Sequence, residues 1–247
     1  THSYYIMTRG RDMKNIIITG AANGIGFYLV RQILADGCNV TVLDLDIGPL
    51  GELCRQYDSL LALACDVGDA KRVQECVNES AEKFGGVDCA IHNACLCTFE
   101  PMEQTPEETY RQVMEVNYYG ALHLTAAVIP YMKRRNSGKV IFTSSGVGVM
   151  GFINISPYAS SKGAIESLAK CLNIEYKNFG ISFHIFHPPL TRTKSSAPLP
   201  VPKEFMADPE KVGTGLAKHL HKKSFIICHS FGQKLQTAAC YLFPVKM

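Results

Sequence analysis

Tyr158 and Lys162 stand four residues apart in Tyr158-Ala159-Ser160-Ser161-Lys162. That spacing puts a phenol and an ammonium on one face of a helix. A free phenol, with a pKa of about 10, is a poor base at neutral pH. A nearby cation stabilises the phenolate and is expected to lower that value. Ser145, thirteen residues before Tyr158, follows a β-rich run and offers a hydroxyl to a carbonyl or alcohol oxygen. Such a group would hold a substrate oxygen beside the phenol, and the three together suit proton exchange at that oxygen. A Tyr-x-x-x-Lys pair alone is usually a surface coincidence, so its weight depends on its company.

The company is a glycine turn. Thr19-Gly20-Ala21-Ala22-Asn23-Gly24-Ile25-Gly26 follows a short apolar run, Asn15–Thr19, and opens a segment with helical spacing. Glycines let a backbone turn sharply and approach a pyrophosphate, while a helix starting near Gly24 presents free N–H groups to the anion. The spacing is G-x-x-x-G-x-G, one residue longer than the common dinucleotide fingerprint. Asp44 ends the second β-rich run, twenty-four residues after Gly20. A carboxylate there accepts hydrogen bonds from both ribose hydroxyls and repels a 2′-phosphate. Neither Ala21–Asn23 nor Leu45-Asp46-Ile47 offers a base to such a phosphate, so the expected cofactor is NAD rather than NADP.

Around these residues the pattern alternates. β-rich runs at Asn15–Thr19, Asn39–Asp44, Leu60–Cys65, Val87–His92, Lys139–Thr143, Ile181–His187 and Phe225–Cys228 are separated by helical segments, among them Gly24–Ala35, Ala70–Phe84, Thr109–Arg135 and Pro157–Asn178. Strand-helix repetition predicts an α/β fold: a doubly wound, Rossmann-like sheet of about seven parallel strands with helices on both faces. One catalytic domain is expected over 13–247, behind an N-terminal extension over 1–12. The proline-rich stretch 188–209 interrupts the pattern after the sixth strand, where a long loop reads as a substrate lid. In the last helical segment Phe231, Leu235, Ala238 and Leu242 form a stripe expected to pack on the sheet. Every charge after Glu210 is a lysine, and weak contact with an anionic membrane surface is the other use for such a tail.

Composition narrows the classes. With 47% hydrophobic and 19% charged residues over 247 positions, the chain is an ordinary globular one rather than a disordered or fibrous one. A net charge of +3 is too small to point to nucleic acid. No apolar run is long enough to span a bilayer, and no signal peptide is read in the first twelve residues, so a cytoplasmic location is expected. Ten cysteines without an export signal read as reduced thiols. Cys89, His92, Cys95 and Cys97 cluster in sequence but lack a second pair at zinc-ribbon spacing, so no metal site is expected.

Taken together the motifs resemble the short-chain dehydrogenase/reductase family, in the branch with one Rossmann-like domain. The matching residues are the glycine turn, Asp44, Cys65-Asp66-Val67, Asn93-Ala94, Asn117, Ser144-Ser145, Tyr158-x-x-x-Lys162, and Pro188 with Thr193, in family order from 14 to about 195. The resemblance implies Asp66 at the adenine ring, Val67, Asn93 and Ala94 along the cofactor, and Lys162 on the nicotinamide ribose. It implies Thr191 and Thr193 by the nicotinamide carboxamide, and Pro188 with Gly20, Asn23, Gly24, Ile25 and Gly26 among the other cofactor-binding residues. It also implies that Asn117 organises a water in a proton relay through Lys162 and Tyr158. Relatives commonly form dimers or tetramers, and the small residues Ala159, Ser160, Gly163, Ala164 and Ser167 would let helices pack closely in a homotetramer or homodimer.

Two departures stand out. His92 and Cys95 replace the family's usual Asn and Gly, and Pro189 replaces the glycine after Pro188, removing an N–H and restricting φ. Neither touches the proton-transfer group. The expected activity is NAD(H)-dependent interconversion of a secondary alcohol and a ketone, with Tyr158 as acid/base. The substrate stretches, Cys95 to Glu100, Val147 to Ile155 and Leu190 to Met206, are largely apolar and favour an apolar substrate. The alternatives are an NADPH-dependent long-chain ketone or 3-oxoacyl reductase, and a non-catalytic dinucleotide-binding sensor or scaffold.

Overall fold

A computed structural model describes residues 13–199 and 201–244; the N-terminal extension over 1–12 lies outside the described residues, as do Pro200 and Lys246. β1 (Asn15–Thr19), β2 (Asn39–Asp44), β3 (Leu60–Ala64), β4 (Cys89–His92), β5 (Gly138–Thr143), β6 (Ile181–Phe186) and β7 (Ile226–Ile227) form one sheet in the order β3-β2-β1-β4-β5-β6-β7. Every pairing is parallel. The period of two divides the core. Ile16 and Ile18 of β1 face one cluster with Leu29, Val30 and Ile33 of α1 (Gly24–Ala35). Ile17 faces the other, with Val73 and Val77 of α3 (Ala70–Phe84) and Leu124 and Val128 of α5 (Gly120–Arg135). Helices therefore cover both faces, and the central strands are buried on both sides as parallel strands must be.

The order of strands reverses beside β1, whose neighbours are β2 and β4. A crevice opens at such a reversal, outside the carboxyl ends of the strands. Asp69 caps α3 by accepting from the Lys71 and Arg72 N–H groups. Asn23 precedes α1 but makes no side-chain cap, which leaves that helix's first N–H groups toward the crevice.

Several expected elements differ in detail. The single helix expected over Thr109–Arg135 is α4 (Glu107–Met114), a π-helical turn (Glu115–Tyr119) and then α5. One extra residue per turn leaves hydrophobic spacing almost unchanged, so periodicity does not reveal it. The helix expected from Pro157 is α7 (Ser156–Glu175). The expected lid is an irregular strap whose limbs pair at Thr191 and Ala207, with α8 (Pro209–Ala217) closing it. Two further short helices, α2 (Gly51–Gln56) and α6 (Val147–Met150), complete the order.

The last helix, α9 (Phe231–Leu242), is turned the other way from expectation. Phe231, Leu235 and Leu242 are exposed, while Gln233, Thr237 and Cys240 face inward. Its inner face meets polar groups at the ends of β5 and β6 rather than an apolar sheet face, so hydrogen bonds decide the orientation. Lysines 218, 222 and 223 lie apart from the crevice: Lys139, at the start of β5, donates to the Lys222 carbonyl at 2.7 Å. Among the described residues no helix is long and apolar enough to cross a membrane.

Candidate active site

The crevice is a cavity of about 580 Å³ at the carboxyl edge of the sheet. Its walls bring together Gly20, Asn23, Gly24, Ile25, Asp44, Asp66, Val67, Asn93 and Ala94 with Ser145, Tyr158, Lys162, Pro188, Thr191 and Thr193. Two expected residues, Gly26 and Asn117, stand behind the wall and act through it.

The glycine turn is built by exclusion. Gly20 has φ +62°, and a Cβ there would lie 2.3 Å from the Ala94 Cα. A Cβ on Gly26 would meet the Ala21 Cα at 2.6 Å and the Gly20 carbonyl at 2.7 Å. Both positions need glycine because backbone, not a movable side chain, fills the space. Asp44 accepts the Ala22 N–H at 2.8 Å through one carboxylate oxygen and lines the cavity. It therefore fastens the turn to β2 as well as offering charge where a ribose would sit. The uncapped start of α1, the glycine cradle and Asp44 together fit a dinucleotide.

Asn93 serves the frame. Its amide donates to the Gly20 carbonyl at 2.7 Å and its oxygen accepts from Thr143 at 3.2 Å, joining the ends of β1, β4 and β5. Thr19 Oγ1 accepts the N–H groups of Asn93 and Ala94, both at 3.1 Å, and pairs with His92 Nδ1 at 3.0 Å. His92 thus belongs to this buried frame, and burial pushes its imidazole down to about 3. Thr19 opens the glycine-turn motif without its role being signalled, and Thr143 is marked by no motif; each is the last residue of a central strand.

Lys162 is 1% exposed, and its Nζ donates to the Thr143 carbonyl at 2.7 Å. Burial pulls the ammonium below its ordinary value. Nζ lies 5.3 Å from the centre of the Tyr158 ring. The expected lowering of the Tyr158 phenol is not found. Burial first, then Cys95 and Cys97, hold it well above the ordinary value, and a hydrogen bond with Ser145 works against them. The lysine is directed at the Thr143 carbonyl, so desolvation governs the phenol. At neutral pH Tyr158 is a proton donor.

Cys95, Cys97, Phe99, Val147, Met150, Ile155, Leu190 and Leu199 make the remaining wall largely apolar. Gln233, Gln236 and Cys240 of α9 close it from the far side, a contribution that sequence spacing does not signal. All ten cysteines are free thiols. The side chain at Cys95, where the family usually has glycine, is accommodated because residues 93–101 run without regular structure beside the cavity.

The family model for short chain dehydrogenases matches residues 14–202. The chain is 33% identical over 179 residues to L-fucose dehydrogenase of Bos taurus, a match covering 71% of this chain and 65% of that protein. It thus spans less than two thirds of that relative's length. It is 26% identical over 251 residues to 3-ketodihydrosphingosine reductase of Bos taurus, covering 94% of this chain and 76% of that one. Among solved structures, a short-chain dehydrogenase from Streptomyces avermitilis superposes with a TM-score of 0.81 at 25% identity, over 93% of both chains. With the sheet order, the glycine cradle and the Ser145–Tyr158–Lys162 cluster in one cavity, these likenesses make the chain a member of the short-chain dehydrogenase family.

Proposed function

We propose that the protein is an NAD(H)-dependent oxidoreductase that interconverts an apolar secondary alcohol and a ketone. The observation that carries this is the placement of Ser145, Tyr158 and Lys162 in the same cavity as the glycine turn and Asp44. When bound, the nicotinamide supplies or accepts the hydride. The chain's own residues do the rest. Ser145 holds the substrate oxygen, and Tyr158, kept protonated by burial, donates to that oxygen as the carbonyl is reduced. In the reverse direction Tyr158 must first lose its proton, so alcohol oxidation is favoured at high pH. Lys162 orders the end of β5 through Thr143, with its ammonium 5.3 Å from the centre of the Tyr158 ring. Asn117 spends its side chain on Leu96 and Ser161, so it frames the site from behind the wall. The apolar wall excludes bulk water and selects an apolar substrate.

Asp44 supports NAD, since its carboxylate lines the cavity beside the glycine turn and neither Ala21–Asn23 nor Leu45–Ile47 offers a base. A second reading is supported by the likeness to a long-chain ketone reductase over 94% of the chain: NADPH-dependent reduction of a long-chain ketone. Nicotinamide absorbance during turnover of apolar secondary alcohols and their ketones, with NAD(H) and NADP(H) compared, separates the two. Tyr158→Phe is the control and is expected to abolish turnover while NADH still binds. NADP preference would overturn the account of Asp44, and unchanged turnover in the variant would overturn that of Tyr158.

A further inference from the structure

Beneath the cavity lies a buried carboxylate that the reaction does not use. Glu166 sits one turn after Lys162 on α7 and is 4% exposed. Three elements converge on it. Ser144, at the end of β5, donates to its Oε1 at 2.6 Å; Tyr241 of α9 donates to its Oε2. His187, fully buried just after β6, places Nε2 3.5 Å from Oε1, and its Nδ1 lies 3.4 Å from Thr237 Oγ1 of α9. Burial pushes the Glu166 carboxyl up, but the His187 ring beside it and the hydrogen bonds from Ser144 and Tyr241 outweigh it and hold the group below its ordinary value. A buried charge of this kind persists only while its donors stay in place.

The donors are placed around the reacting groups. Ser144 adjoins Ser145, and its hydroxyl also lies 3.4 Å from the Lys162 carbonyl. Lys162 Nζ grips Thr143, the residue before Ser144. The segment Thr143-Ser144-Ser145 is thus held to α7 at two successive residues, by Lys162 and by Glu166. A Cβ on Gly146 would lie 3.7 Å from Cys240 Sγ, so α9 also rests on the residue after Ser145.

We propose that Glu166 and Tyr241 are positioning residues for Ser145, with α9 bracing the serine through the Tyr241–Glu166–Ser144 chain. This rests on the reading of Ser145 and Tyr158 given above. The test is a double-mutant cycle of Glu166→Gln and Tyr241→Phe in the full chain. Each single variant is expected to lower kcat about tenfold while the NADH Kd stays within about twofold. The double variant should be no worse than Glu166→Gln, because Tyr241 acts through that carboxylate. Additive losses, or an equal weakening of NADH binding, would overturn the proposal.

A second readout needs no turnover. With tyrosine labelled with ¹³C at Cζ, the Tyr158 resonance, assigned from Tyr158→Phe, reports its hydrogen bond with Ser145. It should move in both single variants by the same amount as in the double. A resonance unmoved in a folded Tyr241→Phe protein overturns the bracing role. If the wild type turns over no alcohol or ketone yet this resonance moves, the functional reading fails and the bracing stands.

Discussion

The Asn117 carboxamide clasps Leu96 by both backbone groups: its oxygen accepts the Leu96 N–H at 2.7 Å and its nitrogen donates to the Leu96 carbonyl at 3.0 Å. The second amide hydrogen goes to Ser161 Oγ at 2.8 Å, on the helix of Tyr158. A residue in the π-helical turn thus anchors the Cys95–Cys97 wall to the catalytic helix. Asn117→Ala leaves two backbone groups of Leu96 unpaired, at about 2 kcal/mol, and should lower Tm by about 5 °C. Thermal unfolding beside kcat checks it; a variant with unchanged Tm and turnover would remove Asn117 from the site's frame.

Asp44 should set cofactor preference. Its carboxylate is the charge a 2′-phosphate would meet, and it also holds the Ala22 N–H. Asp44→Ala is expected to reduce the NAD-over-NADP ratio of kcat/KM at least about tenfold, a difference of roughly 1.4 kcal/mol. Some NAD affinity is lost as well, because the turn loses its tie to β2. The ratio, measured with one substrate, is the readout.

Two glycines in helices should respond in opposite ways. Gly26→Ala drives a Cβ into the Ala21 and Gly20 backbone, which cannot swing aside, so Tm and NADH affinity should both fall. Gly232 of α9 has nothing within 4 Å of its Cβ position. Gly232→Ala should therefore stabilise the protein by about 0.5–1 kcal/mol through helix propensity alone. Paired melting curves decide it.

Acid should destabilise the fold before its carboxylates titrate. Burial pushes His92 down to about 3 and His184 down to about 4, against an ordinary 6.5. The unfolded chain therefore takes up these protons first. The stability they contribute is complete above about pH 6.5 and is lost as pH falls toward the folded values, at up to about 1.4 kcal/mol per pH unit for each imidazole. Urea midpoints between pH 7 and 5 should show this slope, and His92→Asn should flatten it. A slope unchanged in that variant would mean His92 is protonated in the folded state.

Ser145 should govern the pH dependence of alcohol oxidation. Its hydrogen bond is what opposes the upward pressure of burial on Tyr158. Ser145→Ala removes that opposition, so the limb of the pH–rate profile that reports Tyr158 ionisation should move to higher pH in the residual activity. A limb that stays in place would assign it to another group.

Much of this was legible along the chain because it is local. The β-branched run Ile16-Ile17-Ile18 marks a buried strand whatever surrounds it, and glycine where backbone meets backbone leaves its mark as Gly20 and Gly26. The Ser145, Tyr158 and Lys162 spacing likewise reflects one strand end and one helix face. Tertiary structure decided what depends on distant partners. The face α9 turns inward follows from Glu166, 75 residues before Tyr241, and not from the apolar stripe of Phe231, Leu235 and Leu242. The Tyr158 phenol rises rather than falls because burial is a collective property of the walls, whereas Tyr-x-x-x-Lys spacing shows only the cation. Local sequence encodes periodicity and backbone freedom; desolvation and long-range hydrogen bonds exist only once the chain has closed around them.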